Sequence, residues 1–215
     1  MNKAPKRRSP ANAHAQPGRL RIIGGTMRSR MLEFTTDPRT RPMKDRTREA
    51  VFNLLGGDLN GYLVADLFAG SGVLGFESLS RGAGHALLIE WLRPAAREIA
   101  SNAERLAVTD RTTIVTADTV AWAEHLPQQL TNIHRELGLT PSLPWCVFIC
   151  PPYRFWETER LPLLTLIQRW LEAIPSHSTM VLELDETTPL EILPAEIGWR
   201  ARSYPPAVIA IGDKS

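Results

Sequence analysis

Only two cysteines, Cys146 and Cys150, occur in 215 residues. Two cannot build a disulfide framework, and no His or Cys cluster surrounds them at zinc-ligand spacing. The expectation is a protein of the reducing cytoplasm that binds no metal. No apolar run reaches the roughly 18 residues of a membrane span. Internal repeats are absent. So is the apolar core of a secretory signal: Lys3, Lys6, Arg7 and Arg8 are followed by Pro10, Asn12, His14, Gln16 and Pro17. Residues 1–17 therefore predict a solvated, disordered basic tail. The rest is ordinary for a globular chain, with 43% hydrophobic and 22% charged residues. That excludes a wholly disordered or collagen-like protein and leaves room for one sizeable core plus an appendage.

The formal net charge of +2 hides an asymmetry. Residues 1–48 hold 13 Lys and Arg against Glu33, Asp37 and Asp45, whereas the remainder holds 12 against 20 Asp and Glu. A basic arm on an acidic body is the footprint of a protein that grips a polyanion through its N-terminal part. The bland alternative, a basic tail with no partner, fits less well because much of the charge lies in patterned sequence. There, Leu20–Ile23 and Arg30–Phe34 flank Gly24-Gly25-Thr26, which predicts a hairpin with basic side chains on its wet face. Residues 18–48 are thus expected to form a nucleic-acid-gripping extension. Its candidate contacts are Arg21, Arg28, Arg30, Arg41, Lys44, Arg46 and Arg48.

The spacing of Ala50, Val51, Leu54 and Leu55 predicts a helix over 46–55, ended by Gly56-Gly57. Strand and helix signals then alternate. Strands are expected at 63–68, 86–90, 112–116, 145–149 and 180–184, with helices at 73–81, 94–106 (opened by Pro94) and 161–174. A short helix should carry Trp122 after Asp118. Residues 127–144, with Pro127, Gly138, Pro141 and Pro144, predict a looser insertion. Trp199–Tyr204 and Ala207–Ile211 predict a closing antiparallel pair. Such alternation implies an α/β domain over 49–215, a doubly wound and mostly parallel sheet. Its ligands belong beyond the carboxyl ends of the strands.

Asp66-Leu67-Phe68-Ala69-Gly70-Ser71-Gly72-Val73-Leu74-Gly75 runs from the first of these strands into a helix. Gly70 and Gly72 allow a sharp turn and close backbone approach to a ligand. The spacing fits a dinucleotide fingerprint, but Asp66 would repel a pyrophosphate, which counts against a dehydrogenase. The loop suits a cationic ligand end, such as the amino group and sulfonium of S-adenosylmethionine. Glu90 ends the next strand, where an acid can accept both ribose hydroxyls. Asp118 offers either an acceptor for an adenine amine or a helix N-cap. The fourth strand ends in Cys150-Pro151-Pro152-Tyr153. Two prolines force the chain out of the sheet at the ligand edge, and Tyr153 offers a face for stacking an extruded base. A structural Pro-Pro stop with a core tyrosine is the alternative.

These residues carry a resemblance. Residues 19–153 are similar to the bacterial 16S ribosomal-RNA guanine-N2 methyltransferase family (RsmD-type). The matching pieces are Arg21–Gly25, Arg41-Pro42-Met43-Lys44-Asp45-Arg46-Thr47-Arg48-Glu49-Ala50-Val51-Phe52-Asn53, Asp66–Gly75 and Ser80–Ala83. The glycine loop alone would indicate only a class I methyltransferase; the Arg41–Asn53 block narrows it. The resemblance implies a Rossmann-like class I fold and S-adenosyl-L-methionine held by Asp66, Phe68, Gly70, Gly72, Glu90 and Asp118. It implies a small ribosomal subunit or its RNA as partner and a monomer, with the methyl group passing to guanine N2 at Cys150, Pro151, Pro152 and Tyr153. The family's fourth motif begins with Asp or Asn, whose oxygen orients the exocyclic amine. Here a thiol stands instead, a weak acceptor. A family member that binds RNA and cofactor but has lost turnover through Cys150 is the competing expectation. A nucleophilic Cys150 has little support, since no His lies within ten residues of it.

Overall fold

The computed structural model describes residues 17–35 and 43–215. The expected tail before residue 17, and Arg41, lie outside the described residues.

Strands β1 (Pro17–Arg21) and β2 (Met31–Thr35) form an antiparallel hairpin with Leu20 opposite Leu32. Its connection folds back on itself, Ile22 N donating to the Arg30 carbonyl at 2.9 Å and Ser29 N to the Ile22 carbonyl at 2.8 Å. Ile22 and Leu32 are fully buried while Arg19, Arg21, Arg28 and Arg30 are exposed, so the wet basic face is present. Helix α1 (Asp45–Leu54) follows, and Gly56 and Gly57 take positive φ angles just beyond it. The boundary expected at residue 48 falls inside this helix.

The main sheet contains β3 (Leu63–Asp66), β4 (His85–Glu90), β5 (Thr112–Thr116), β6 (Trp145–Ile149), β7 (Thr179–Asp185), β8 (Trp199–Tyr204) and β9 (Ala207–Asp213). Their order is β5-β4-β3-β6-β7-β9-β8. All pairings from β5 to β7 are parallel, and β9 runs antiparallel to both neighbours. Every residue of β3, β4 and β6 is buried, because helices cover both faces; hence their unbroken apolar runs. One face carries a core built on Trp145, Trp156 and Trp170, the other a core of Phe52, Phe76, Ile99 and Phe148 joined by Ile22 and Leu32 of the hairpin.

Helices α2 (Val73–Ser80), α3 (Arg93–Leu106), α4 (Thr119–Trp122) and α7 (Arg160–Ala173) stand where expected. The looser insertion does not. Its place is taken by α5 (Leu126–Leu137), a 12-residue helix with Leu126, Leu130 and Ile133 buried. Pro127 sits in its first turn, where a missing N–H costs nothing, and Gly138 ends it in the left-handed conformation. A short helix α6 (Arg154–Thr158) follows the double proline.

The hairpin is fastened by Glu77 of α2. This fully buried carboxylate accepts Ile23 N and Gly24 N at 2.7 Å each and Arg81 Nε at 2.9 Å. Arg48 lies 3.9 Å from it and is itself fully buried, its guanidinium donating to the carbonyls of Arg21 (2.7 Å) and Met43 (3.2 Å) and to Asp45 (3.1 Å). Arg48 is therefore corrected from a nucleic-acid contact to an internal tie between hairpin and helix.

Candidate active site

Strand β3 has its successor β4 on one side and β6 on the other. The chain leaves the two carboxyl ends in opposite directions, and a crevice opens there. A cavity of about 580 Å³ fills it.

One end of the cavity is acidic. Asp66 closes β3 with 1% exposure, and its Oδ1 has no hydrogen-bond partner among the described residues. Burial pushes its carboxyl up to about 7, reinforced by the charge of Glu90 and opposed by the amides of Phe68 and Gly75. A buried, partnerless acceptor beside a cavity suits a cationic ligand group, which would restore its charge. Gly70, at φ +54°, lines the wall, and a Cβ there would meet only the Phe68 carbonyl at 3.9 Å. The loop backbone is thus open to a ligand. Gly72 is not on the wall. Its left-handed φ of +75° launches α2, and a side chain there would press on Phe76 and Ile99. Glu90 closes β4, its two oxygens accepting Gly70 N and Leu92 N at 2.8 Å each. The Trp91 amide also bonds this carboxylate, which lies on the cavity wall. Burial raises its carboxyl as well. Phe68 lines the wall edge-on to Phe155. Asp118 is the N-cap of α4, accepting Ala121 N at 3.0 Å, and it also borders the cavity.

The other end is built by Cys150-Pro151-Pro152-Tyr153, all four on the wall. Burial pushes the Cys150 thiol well up, with the carboxylates of Glu183 and Asp66 adding to it. A thiolate nucleophile is disfavoured there. The Tyr153 hydroxyl donates to Glu183 Oε1 at 2.7 Å, and burial, then that bond, keeps the phenol protonated. Glu183 of β7 was not among the expected site residues. Its signal was a lone acid inside the apolar run Met180–Leu184. Phe34, Met43, Lys44 and Thr47 from the N-terminal part also line the cavity, as do Tyr204 to Ala207.

The basic candidates are divided by the structure. Lys44 is exposed and borders the cavity, while Arg28 and Arg46 are exposed but do not line it. Arg30 is exposed and reaches the Arg105 carbonyl at 2.7 Å. Arg21 pairs with Asp45 at 3.0 Å. Among the described residues, no group of three or more His, Cys, Asp or Glu could hold a metal ion, and no helix is long and apolar enough to cross a membrane.

Comparison with known proteins converges on this arrangement. The family described as Conserved hypothetical protein 95 matches residues 20–206. YlbH of Bacillus subtilis (strain 168) is 32% identical over 171 residues, covering 80% of this chain and 85% of that one. Ribosomal RNA small subunit methyltransferase D of Escherichia coli (strain K12) is 44% identical over 89 residues, 41% of this chain and 45% of the relative. The solved structure of yhhF from Escherichia coli superimposes with a TM-score of 0.72 at 26% identity, covering 92% of this chain and 99% of the other. The sheet order, the glycine loop launching α2 and the Pro-Pro-Tyr exit from β6 sit inside that match, and the chain belongs to this family, the RsmD-type methyltransferases with a class I Rossmann-like fold.

Proposed function

We propose that the protein transfers a methyl group from S-adenosylmethionine to the exocyclic N2 of a guanine in small-subunit ribosomal RNA. One observation carries the reading. A single cavity joins an acidic, glycine-lined end to the Cys150-Pro151-Pro152-Tyr153 end. Asp66 and the Gly70 backbone would hold the amino acid part of the cofactor, Glu90 its ribose and Asp118 its adenine. The cofactor supplies an electrophilic methyl group; the chain supplies position. The Ile149 and Pro151 carbonyls and the Tyr153 ring would hold the base so that its amine lone pair faces that methyl, since in-line transfer depends heavily on proximity. Exposed Arg28, Arg30, Lys44 and Arg46 would take phosphates. The name borne by the Escherichia coli relative supports ribosomal RNA as the substrate. The protein would act as a monomer in the cytoplasm, where ribosomes assemble.

The neutral, weakly accepting thiol of Cys150 favours a second reading, a relative that binds cofactor and RNA without turnover. One assay separates them: labelled S-adenosylmethionine with small ribosomal subunits from a strain lacking the family's enzyme. Incorporation as N2-methylguanosine supports the transferase. Tight binding with no incorporation supports the second reading.

A further inference from the structure

We infer that Glu183 reads the Watson–Crick edge of the target guanine, taking the place of the acceptor that Cys150 does not provide. The inference rests on the proposed guanine-N2 activity.

Strands β6 and β7 pair in parallel with Ile149 opposite Leu182, so the next residues, Cys150 and Glu183, emerge side by side at the cavity edge. Both line the cavity. The Glu183 backbone is fixed: its carbonyl accepts the indole N–H of buried Trp156 at 2.9 Å, and its amide points at the Cys150 sulfur. Its side chain is half-buried, and Oε1 accepts the Tyr153 hydroxyl at 2.7 Å. A carboxylate offers about four lone-pair directions. One is used, and among the described residues Oε2 has no hydrogen-bond partner. The carboxylate therefore faces the acceptor end with capacity to spare, beside the tyrosine proposed to stack the base.

Guanine presents two adjacent donors, N1–H and the N2 amine. Adenine and cytosine each set an amine beside a ring-nitrogen acceptor, whose lone pair would repel a carboxylate, and uracil offers one N–H between two carbonyls. A single carboxylate accepting two parallel N–H bonds thus selects guanine and turns its N2 amine into a fixed orientation. The same tyrosine bond that positions Glu183 also orients the stacking ring, so base reading and base stacking are set by one pair.

The test uses the full-length protein, Glu183→Gln and Tyr153→Phe. Turnover is measured on hypomethylated small subunits by nucleoside analysis. Binding of guanosine monophosphate and adenosine monophosphate to the protein saturated with S-adenosylhomocysteine is measured in parallel. Glu183→Gln should lose at least about 100-fold in turnover, comparable to deleting a transition-state hydrogen bond, with cofactor affinity unchanged. The wild type should favour the guanine nucleotide by about ten-fold, and Glu183→Gln should erase that preference. Tyr153→Phe should retain the preference. Glu183→Gln within about three-fold of wild type overturns the inference. So does equal damage from both variants with the preference intact, since Glu183 would then merely prop Tyr153. A wild type favouring guanine by less than about two-fold overturns it whether or not the variant folds. A wild type that forms no N2-methylguanosine sinks the proposed function itself, a failure distinct from these.

Discussion

Replacing Glu77 by Gln probes how the basic hairpin is held to the domain. Glu77 is fully buried and serves Ile23 N and Gly24 N at 2.7 Å and Arg81 at 2.9 Å through two nitrogens, with Arg48 at 3.9 Å. Gln has nearly the same shape but one acceptor oxygen, and its amide nitrogen would point donors at donors. Two charge-assisted bonds are lost, at about 1.5–3 kcal/mol each. Breaking a buried ion pair independently suggests about 3–5 kcal/mol. The lower end applies here. Arg48 keeps Asp45 at 3.1 Å, and Arg81 keeps the Gly57 carbonyl at 3.3 Å and the Phe52 ring at 4.7 Å. We expect a loss of about 3 kcal/mol, read from urea unfolding followed by tryptophan fluorescence. That corresponds to a melting point lower by about 6–12 °C at this chain length. RNA affinity should fall with the loosened hairpin, while S-adenosylmethionine affinity, set mainly by Asp66, Gly70 and Glu90 at the carboxyl ends of β3 and β4, should change less. A loss below about 1 kcal/mol would show that solvent reaches Glu77 and that the tie is of the weak surface kind.

Three further outcomes follow from the site. Asp66 has its carboxyl raised to about 7, so without ligand the folded state binds the extra proton and stability falls as pH rises from about 4 towards 7. A cationic ligand favours the ionised form, so cofactor affinity measured calorimetrically should rise with pH up to about 7, and Asp66→Asn should flatten that rise. RNA affinity should fall with salt at a log-log slope near −0.7 per contacted phosphate if the site is single-stranded. Replacing Arg28, Arg30 and Arg46 together should flatten the slope without changing cofactor affinity, and an unchanged slope would mark those charges as idle. Cys150→Asn adds an acceptor without burying a new charge and should raise the methylation rate, whereas Cys150→Ser should be nearly neutral; a covalent protein–RNA adduct lost in Cys150→Ser would refute the mechanism.

The strands were legible because a sheet covered on both faces demands unbroken apolar runs, and β3, β4 and β6 have them. The glycine loop and the double proline were legible for a related reason: each is a backbone requirement written in residue type. Pro127 is a weaker helix signal in the sequence than Pro94. Both occupy a first helical turn, but Gly138, Pro141 and Pro144 break up the sequence around Pro127 and mask the helical spacing of Leu126, Leu130 and Ile133. Arg48 could not be told from its exposed neighbours. Its burial depends on Glu77, a residue of another helix that only the fold brings near. Glu183 was hidden differently, as an acid within a strand whose register against β6 decides which cavity it meets.

That register also explains the distribution of charge. Asp66, Glu90 and Glu183 all stand at or near strand ends around one cavity, and burial raises all three carboxyls. Such an interior attracts a cationic cofactor and repels a phosphate backbone. If the substrate is RNA, its backbone must therefore be gripped outside, and only a base can enter. The exposed Arg28, Arg30, Lys44 and Arg46 lie on the N-terminal part, and Lys44 borders the cavity, as do Phe34 and Met43. The length scale is favourable: screening weakens charge interactions beyond about 8 Å at physiological salt, so acids inside the crevice act on the inserted base while the arm sets the field felt by the strand. The acidic body and basic arm seen in the sequence are then two parts of one device. Binding a polyanion and admitting a cation require opposite potentials, which one surface could not offer at once.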